Sequence, residues 1–418
     1  MSKSQLDILG KHFPVIVIGG GQAGLSVSYC LRAKKIDHII FDRGNVADSW
    51  KSRWDNFTLV TPNWQCELPG YKYQGDDPDG FMCREQVVDF VSKYAASFDP
   101  PLQSNVEVKS LEKTATHFDV ETTVGPFTAD VVVIATGAYN IPVIPAIVDQ
   151  FEPDVQHFHS SDYRNAGDLP PGEVMVVGSG QSGCQIAEDL HLEGRKVHLC
   201  VGDAPRSPRR YRGKDVVAWL DAMNYYDQSI DSFPDPVATR NKVNHYVTGR
   251  DGGREIDLRA FAQEGMQLYG RLASAEGNKA FFSDNLKQDL DRADQAAQGI
   301  KDRIDQYIQK EGLSVPTEPK YQPVWEPQEA IQSIDLKQKN ITSIIWCIGY
   351  RADYSWIDLP ILDSTGYPMH TRGVSTCSGV YFIGLPWMYT WGSGRFSGLT
   401  QDAQFVTDRI EEQVAVNC

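Results

Sequence analysis

Short unbroken apolar runs recur along this chain, each closed by small residues, and they set its expected architecture. Val15-Ile16-Val17-Ile18 is the first, and an uninterrupted run of this kind suits a strand buried on both faces. His38-Ile39-Ile40-Phe41, Val131-Val132-Val133-Ile134, Val174-Met175-Val176-Val177 and Ile344-Ile345-Trp346-Cys347-Ile348 repeat the pattern. Between them the apolar spacing turns helical. Over 84–98, Val87, Val88, Phe90, Val91 and Tyr94 share one face; over 283–310, Leu286, Leu290, Ala293, Ala297, Ile300, Ile304 and Ile308 recur every three or four residues; a last helix is predicted over 401–414. Strands over 106–108 and 117–124 make a hairpin-rich insertion. Strands alternating with helices predict an α/β protein with parallel sheets.

Two of the strand ends carry a glycine pattern with a chemical meaning. Gly19, Gly21 and Gly24 are spaced as G-x-G-x-x-G, with Gln22 and Ala23 completing the turn into a helix. The first glycine makes the tight turn, the second admits a pyrophosphate to the backbone, and the third lets helix pack on strand. Phosphate then sits at the helix N-terminus, where free N–H groups and the helix dipole favour negative charge. Asp42, with Arg43 beside it, follows Gly24 by 18 residues and suits a ribose hydroxyl. The whole unit recurs about 160 residues later as Gly178, Ser179, Gly180, Gln181, Ser182 and Gly183. A small-residue turn, Ala135-Thr136-Gly137, closes the first unit, and Ile348-Gly349-Tyr350 closes the second.

The expectation is therefore two Rossmann-like dinucleotide-binding domains, the second inserted into the first. FAD is assigned to residues 1–150 and 353–418, and NADPH to residues 151–352, with a helical, aromatic-rich insertion at about 213–335. The strand 196–201 ends without an acid at the ribose position, and Arg206, Arg209, Arg210 and Arg212 follow it. Such arginines either bind a 2′-phosphate, which selects NADPH, or form a solvated surface loop. Asp203 lies in the same stretch and weighs against the first reading.

Composition narrows the function further. At 418 residues two domains are expected. A net charge of −15 gives no attraction to nucleic acid or to an anionic membrane, and accounts for solubility. None of the eight cysteines forms a C-x-x-C pair, which removes a redox dithiol and a structural zinc site, and no metal ligand set is seen. Met1-Ser2-Lys3-Ser4-Gln5 begins no targeting signal, and no apolar run reaches ~18 residues, so a soluble cytoplasmic protein is expected. The aromatic-rich insertion receives no site role. Its long helix is expected to pack against the insertion, with homodimerisation as the alternative.

Between these units, residues 48–70 are rich in aromatics, proline and glycine, the mark of a shaped functional loop. With Trp50, Arg53 and Leu59 through Pro69, the two fingerprints, Ala135-Thr136-Gly137, His159-Ser160, Asp162-Tyr163-Arg164 and Ile348-Gly349-Tyr350, the chain resembles the class B flavoprotein monooxygenases. It is most similar to the flavin-containing and YUCCA-type enzymes and to bacterial flavoproteins linked to potassium transport. One departure stands in the linker, where Phe151 precedes His159 by eight residues rather than six. The resemblance assigns Trp50, Arg53, Thr61 and Gly384 to cofactor binding, although Gly384-Leu385 replaces the Gly-Asp of many flavin folds. It implies hydride transfer from NADPH to FAD, formation of a flavin C4a-(hydro)peroxide with O2, and delivery of oxygen to a small organic substrate. N- or S-oxygenation and oxidative decarboxylation of a 2-oxo acid both fit. Asn63 resembles an asparagine placed near the flavin ring, and its plainer reading is a turn residue after Pro62. An NADPH oxidase or reductase that oxygenates nothing, and a non-catalytic flavin or NADPH sensor regulating a transporter, are the alternatives.

Overall fold

A computed structural model of the chain describes residues 9–417. Met1–Gln5, read above for targeting, and Cys418 lie outside the described residues. The order of elements begins with β1 (His12–Ile18), α1 (Gln22–Ala33), β2 (His38–Asp42), α2 (Arg84–Phe98), β3 (Leu102–Ser104), β4 (Val108–Lys113), β5 (Phe118–Thr122) and β6 (Gly125–Ile134). It continues with β7 (Gln156–His159), β8 (Glu173–Val177), α3 (Gln181–Leu192), β9 (Val197–Cys200), β10 (Gln267–Tyr269), β11 (Leu272–Glu276), β12 (Lys279–Phe282), α4 (Leu286–Glu311), β13 (Ser333–Asp335) and β14 (Ile341–Trp346). The chain closes with β15 (His370–Thr371), β16 (Val374–Ser375), β17 (Val380–Phe382) and α5 (Phe396–Asn417).

Nine strands form the first sheet, in the order β15-β16-β17-β6-β1-β2-β3, with the β4–β5 hairpin joined to β6. Its centre is parallel: Val15 stands between His38 and Val131, and Val15, Ile16 and Val17 are wholly buried, as an unbroken apolar run on a two-faced sheet requires. The second sheet, β7-β14-β8-β9-β10, is parallel throughout, with β8 between β9 and β14. The last strand of the first sheet and α5 come after the second sheet in sequence, so the second domain interrupts the first. The α/β class with two Rossmann-like sheets is the fold observed.

Three details differ from the sequence reading. First, β10 lies inside the stretch read as an insertion and supplies the second sheet's fifth strand. The antiparallel sheet β11-β12-β13 then packs Ala280, Phe282 and Ile334 against Tyr269 and Trp346. Second, of the strand expected over 106–108 only Val108 is in a strand, as the first residue of β4, while buried Val106 lies in the link from β3. Third, α5 starts at Phe396 rather than at 401. A side chain at Gly398 would overlap the backbone of Gly392, so the glycine serves close packing within the first turn.

The long helix α4 packs inside its own chain. Leu286, Leu290 and Ala293 join the main core, and Ile300 and Ile304 meet Tyr211, Val216 and Trp219. No described helix is long and apolar enough to cross a membrane.

Candidate functional site

The two glycine fingerprints fold into the same local geometry. Gly21 and Gly180 cap α1 and α3 with φ/ψ of −72°/−175° and −68°/−176°. Gly19 and Gly178 take positive φ, 106° and 102°, and a Cβ there would lie 2.6 Å from Ala135 O and 2.7 Å from Cys347 O. At Gly24 and Gly183 a Cβ would overlap the carbonyl of Gly19 and of Gly178. Gly21 and Gly180 differ from both, because a Cβ there meets no protein atom within 4 Å. Each helix N-terminus therefore opens on free space at the residue where a pyrophosphate has to approach, and the residues present fit a dinucleotide in both places.

Each fingerprint also has a glutamine that holds a loop above it. Gln22 accepts a hydrogen bond from Trp50 Nε1 at 2.9 Å and donates to Gly394 O at 3.4 Å. Trp50 in turn stacks on Phe396 at the start of α5, with centroids 5.6 Å apart. Gln181 donates to Val247 O at 2.7 Å and accepts from Val247 N at 3.1 Å. The two held loops meet, since Arg395 donates to Asn244 Oδ1 at 3.1 Å. Residues 394–395 and 244–247 thus form one short junction between the fingerprints. Nothing local in the sequence signals it, because its partners stand 66 to 372 residues apart.

The ribose positions diverge as the sequence suggested. Asp42 accepts from Gly20 N at 2.5 Å and from Gly44 N at 2.7 Å, which fixes its half-buried carboxylate at the end of β2, while Arg43 is exposed. At the end of β9 no acid plays this part; Ser179 Oγ accepts from Gly202 N at 2.9 Å instead.

The arginines expected at the second ribose require correction. Arg206 is 2% exposed and ion-paired with Asp294 at 3.0 Å and Asp257 at 3.3 Å, with Tyr321 stacked on it. Arg209, equally buried, pairs with Asp215 at 2.6 Å, donates to Val60 O and stacks on Phe81. A buried guanidinium without carboxylates is costly, so these two are committed to folding. Arg212 is held by Asp305. Only Arg210 keeps an exposed guanidinium, which touches Gly252 O. Asp203 faces Arg271 at 3.4 Å on the surface.

Around the first fingerprint several polar atoms are buried without a protein partner: Thr136 Oγ1, Ser397 Oγ, Thr400 Oγ1 and Asn63 Oδ1. Buried polar groups are rarely left so, and a polar ligand or water satisfies them. Asn63 is held in a 3₁₀ turn (Asn63–Gln65) by donating to Asp77 O at 2.9 Å. Arg53 lies 5.9 Å from the rings of Trp50 and Phe57, Thr61 is half-buried, and Ala23 packs against Gly384, whose φ is 81°. Ser182 is half-buried on the first turn of α3. These residues fit an FAD beside β1. The sequence reading passed over Asp402, a wholly buried acid in α5 beside Ser393 and Arg372. Burial pushes its pKa up to about 6.

Thiol chemistry has no support among the described residues. All seven described cysteines are free, and burial pushes Cys30 up to about 11 and Cys66 up to about 12, which keeps both protonated. No described group of His, Cys, Asp and Glu is arranged to hold a metal.

Comparison with known proteins agrees with this geometry. A family model described as pyridine nucleotide-disulphide oxidoreductase matches residues 16–245. A CzcO-like oxidoreductase of Geobacillus kaustophilus is 32% identical over 403 residues, 95% of this chain and 97% of its own length. The indole-3-pyruvate monooxygenase YUCCA6 of Arabidopsis thaliana is 30% identical over 199 residues, 45% of this chain and 48% of that protein. The solved flavin-containing monooxygenase from Stenotrophomonas maltophilia shares the fold, with a TM-score of 0.65 at 17% identity over 98% of this chain and 100% of its own. The chain belongs to the pyridine nucleotide-disulphide oxidoreductase family, and its fold is that of the solved flavin-containing monooxygenase.

Proposed function

We propose that this protein uses NADPH, FAD and O2 to oxygenate a small organic molecule at the junction between its two fingerprints. The observation that carries the reading is the contact of Arg395 with Asn244, which joins the loop held by Gln22 to the loop held by Gln181. Bound FAD supplies the redox and oxygen chemistry, with electrons from the nicotinamide. The chain's own work is placement and exclusion of water. Gly21 and Gly180 leave room for the pyrophosphates, Asp42 offers its carboxylate to the first ribose, and Arg210 is the remaining candidate for a 2′-phosphate. Asn63, fixed by donating to Asp77 O, keeps a buried Oδ1 without a protein partner, which can accept from a bound donor. Trp50 and Phe396 close the apolar wall behind it. The likeness to YUCCA6 supports a 2-oxo acid among the candidate substrates, beside amines and sulfides.

The test is direct. Purified protein is expected to carry flavin, and anaerobic NADPH to bleach its absorbance. In air, a substrate panel is expected to give oxygenated product and to lower the hydrogen peroxide released per NADPH consumed. Protein without flavin, or stoichiometric peroxide with every substrate, overturns the proposal.

A further inference from the structure

We infer that Arg395 is the anchor for a carboxylate on the substrate, so that the cleft takes small aromatic carboxylates in preference to neutral or cationic molecules. The inference rests on the oxygenation reading for what happens to the bound molecule, and on the cleft alone for what binds. Arg395 is set in place by a tight turn. Its N–H donates to Gly392 O at 2.9 Å, and Gly394 before it has φ 78°, with its Cβ position 2.7 Å from Gly384 O. From that turn the side chain reaches Asn244 at the junction.

Arg395 is half-buried there, and its guanidinium has no counter-ion among the described residues. It lies 4.1 Å over the Trp391 ring and donates to Trp391 O and to Asn244 Oδ1, all neutral partners. Among the described residues no carboxylate stands within ion-pairing distance of it. The fully buried arginines elsewhere are treated differently: Arg206, Arg209 and Arg259 each meet a carboxylate at 2.6 to 3.0 Å. Desolvation lowers the proton affinity of Arg395, with only Tyr139, Tyr226 and Tyr225 opposing it electrostatically. A guanidinium partly withdrawn from water without a counter-ion carries a cost, and an arriving anion offsets it. Two of the five guanidinium donors are used by neutral oxygens, which leaves room for a carboxylate.

The walls specify the rest of the molecule. Tyr226 packs 4.8 Å from Trp391 and 5.6 Å from Tyr225, and Tyr139, 60% exposed, stands at the mouth. Aromatic faces of this kind hold a flat apolar body. Arg303, exposed and near enough to act on Tyr225 and His245, adds to the positive field. The dinucleotide phosphates are the other source of an anion. They already have the helix N-termini at Gly21 and Gly180, and the experiment separates the two.

Flavin-loaded protein is titrated with phenylacetate and with its neutral analogue phenylacetamide, following tryptophan fluorescence and flavin absorbance. The wild type is expected to bind phenylacetate at least about 10-fold more tightly, as a charge-assisted contact implies. Arg395→Gln is expected to weaken phenylacetate by about 10- to 100-fold, leaving phenylacetamide binding, flavin content and NADPH affinity unchanged, with Arg395→Lys recovering part of the loss. Equal binding of the two compounds by the wild type overturns the inference, and needs no variant to fold. Weakened NADPH binding with unchanged phenylacetate binding in Arg395→Gln overturns it in favour of a phosphate contact. If the preference for phenylacetate holds while no aryl carboxylate or aryl 2-oxo acid yields an oxygenated product, the anchor stands and the reaction reading falls.

Discussion

Gly180→Ala separates what the second fingerprint does for a ligand from what it does for the fold. Its backbone, φ −68° and ψ −176°, is one that alanine adopts freely, and the added methyl meets no protein atom within 4 Å. At a helix N-cap the exchange of glycine for alanine costs up to about 1 kcal/mol, so the melting temperature without nucleotide is expected to fall by no more than about 4 °C. Gly183→Ala is the contrast. There the methyl overlaps Gly178 O, a backbone atom that cannot swing aside, and also crowds Cys347 Cβ at 3.1 Å. Overpacking of this kind costs about 1–3 kcal/mol or more, and α3 has to lift from β8. For the ligand the order reverses. The Gly180 methyl stands in the space that a pyrophosphate needs in order to reach the N–H groups of α3. Losing one charge-assisted hydrogen bond, about 1.5–3 kcal/mol, raises the Kd for NADPH by roughly 10- to 100-fold. The assays are thermal melting without nucleotide and NADPH titration by fluorescence. A Gly180→Ala protein that binds NADPH like the wild type refutes the reasoning, since the open space would then not be the pyrophosphate's path.

Three further substitutions or treatments test other parts of the structure. Arg206→Met leaves Asp257 and Asp294 without their buried partner and is expected to cost about 3–5 kcal/mol in denaturant unfolding, with no change in NADPH affinity for the protein that remains folded. Asp402→Asn is expected to raise the melting temperature at pH 7.5. The wild-type carboxyl has its folded pKa raised from 3.8 to about 6, so its contribution is full below pH 4, is lost as pH rises through 6, and amounts to roughly 3 kcal/mol at two units of 1.36 kcal/mol each. The variant should lack that fall between pH 4 and 6, which melts at both ends of the range measure. Iodoacetamide at pH 8 should label Cys83 and Cys377 before the other described cysteines and leave NADPH-driven flavin reduction intact, as peptide mass mapping and anaerobic bleaching would show.

What the sequence disclosed and what it hid divide along the range of the interactions involved. Gly19, Gly21 and Gly24 obey a rule that operates within six residues, and the second copy obeys it again, so the geometry of both turns was legible. The helix Arg84–Phe98 was legible for the same reason: its apolar face and the bond from Cys83 N to Gln86 Oε1 at 2.9 Å are local. The three-residue strand β10 is too short for periodicity to reveal, and only its pairing with β9 makes it a strand. Charge is harder still, because a lone arginine looks the same in the sequence whether it awaits a phosphate or already has a carboxylate. Arg206 was assigned to a ligand, but its partners at 257 and 294 lie on other elements of the fold. Arg395 was given no role, although the turn at 392–394 puts it in the cleft without any acid. The same question, which guanidinium has a counter-ion, reverses both assignments. It is a question about the folded chain, because the answer depends on residues that the fold alone brings within 4 Å.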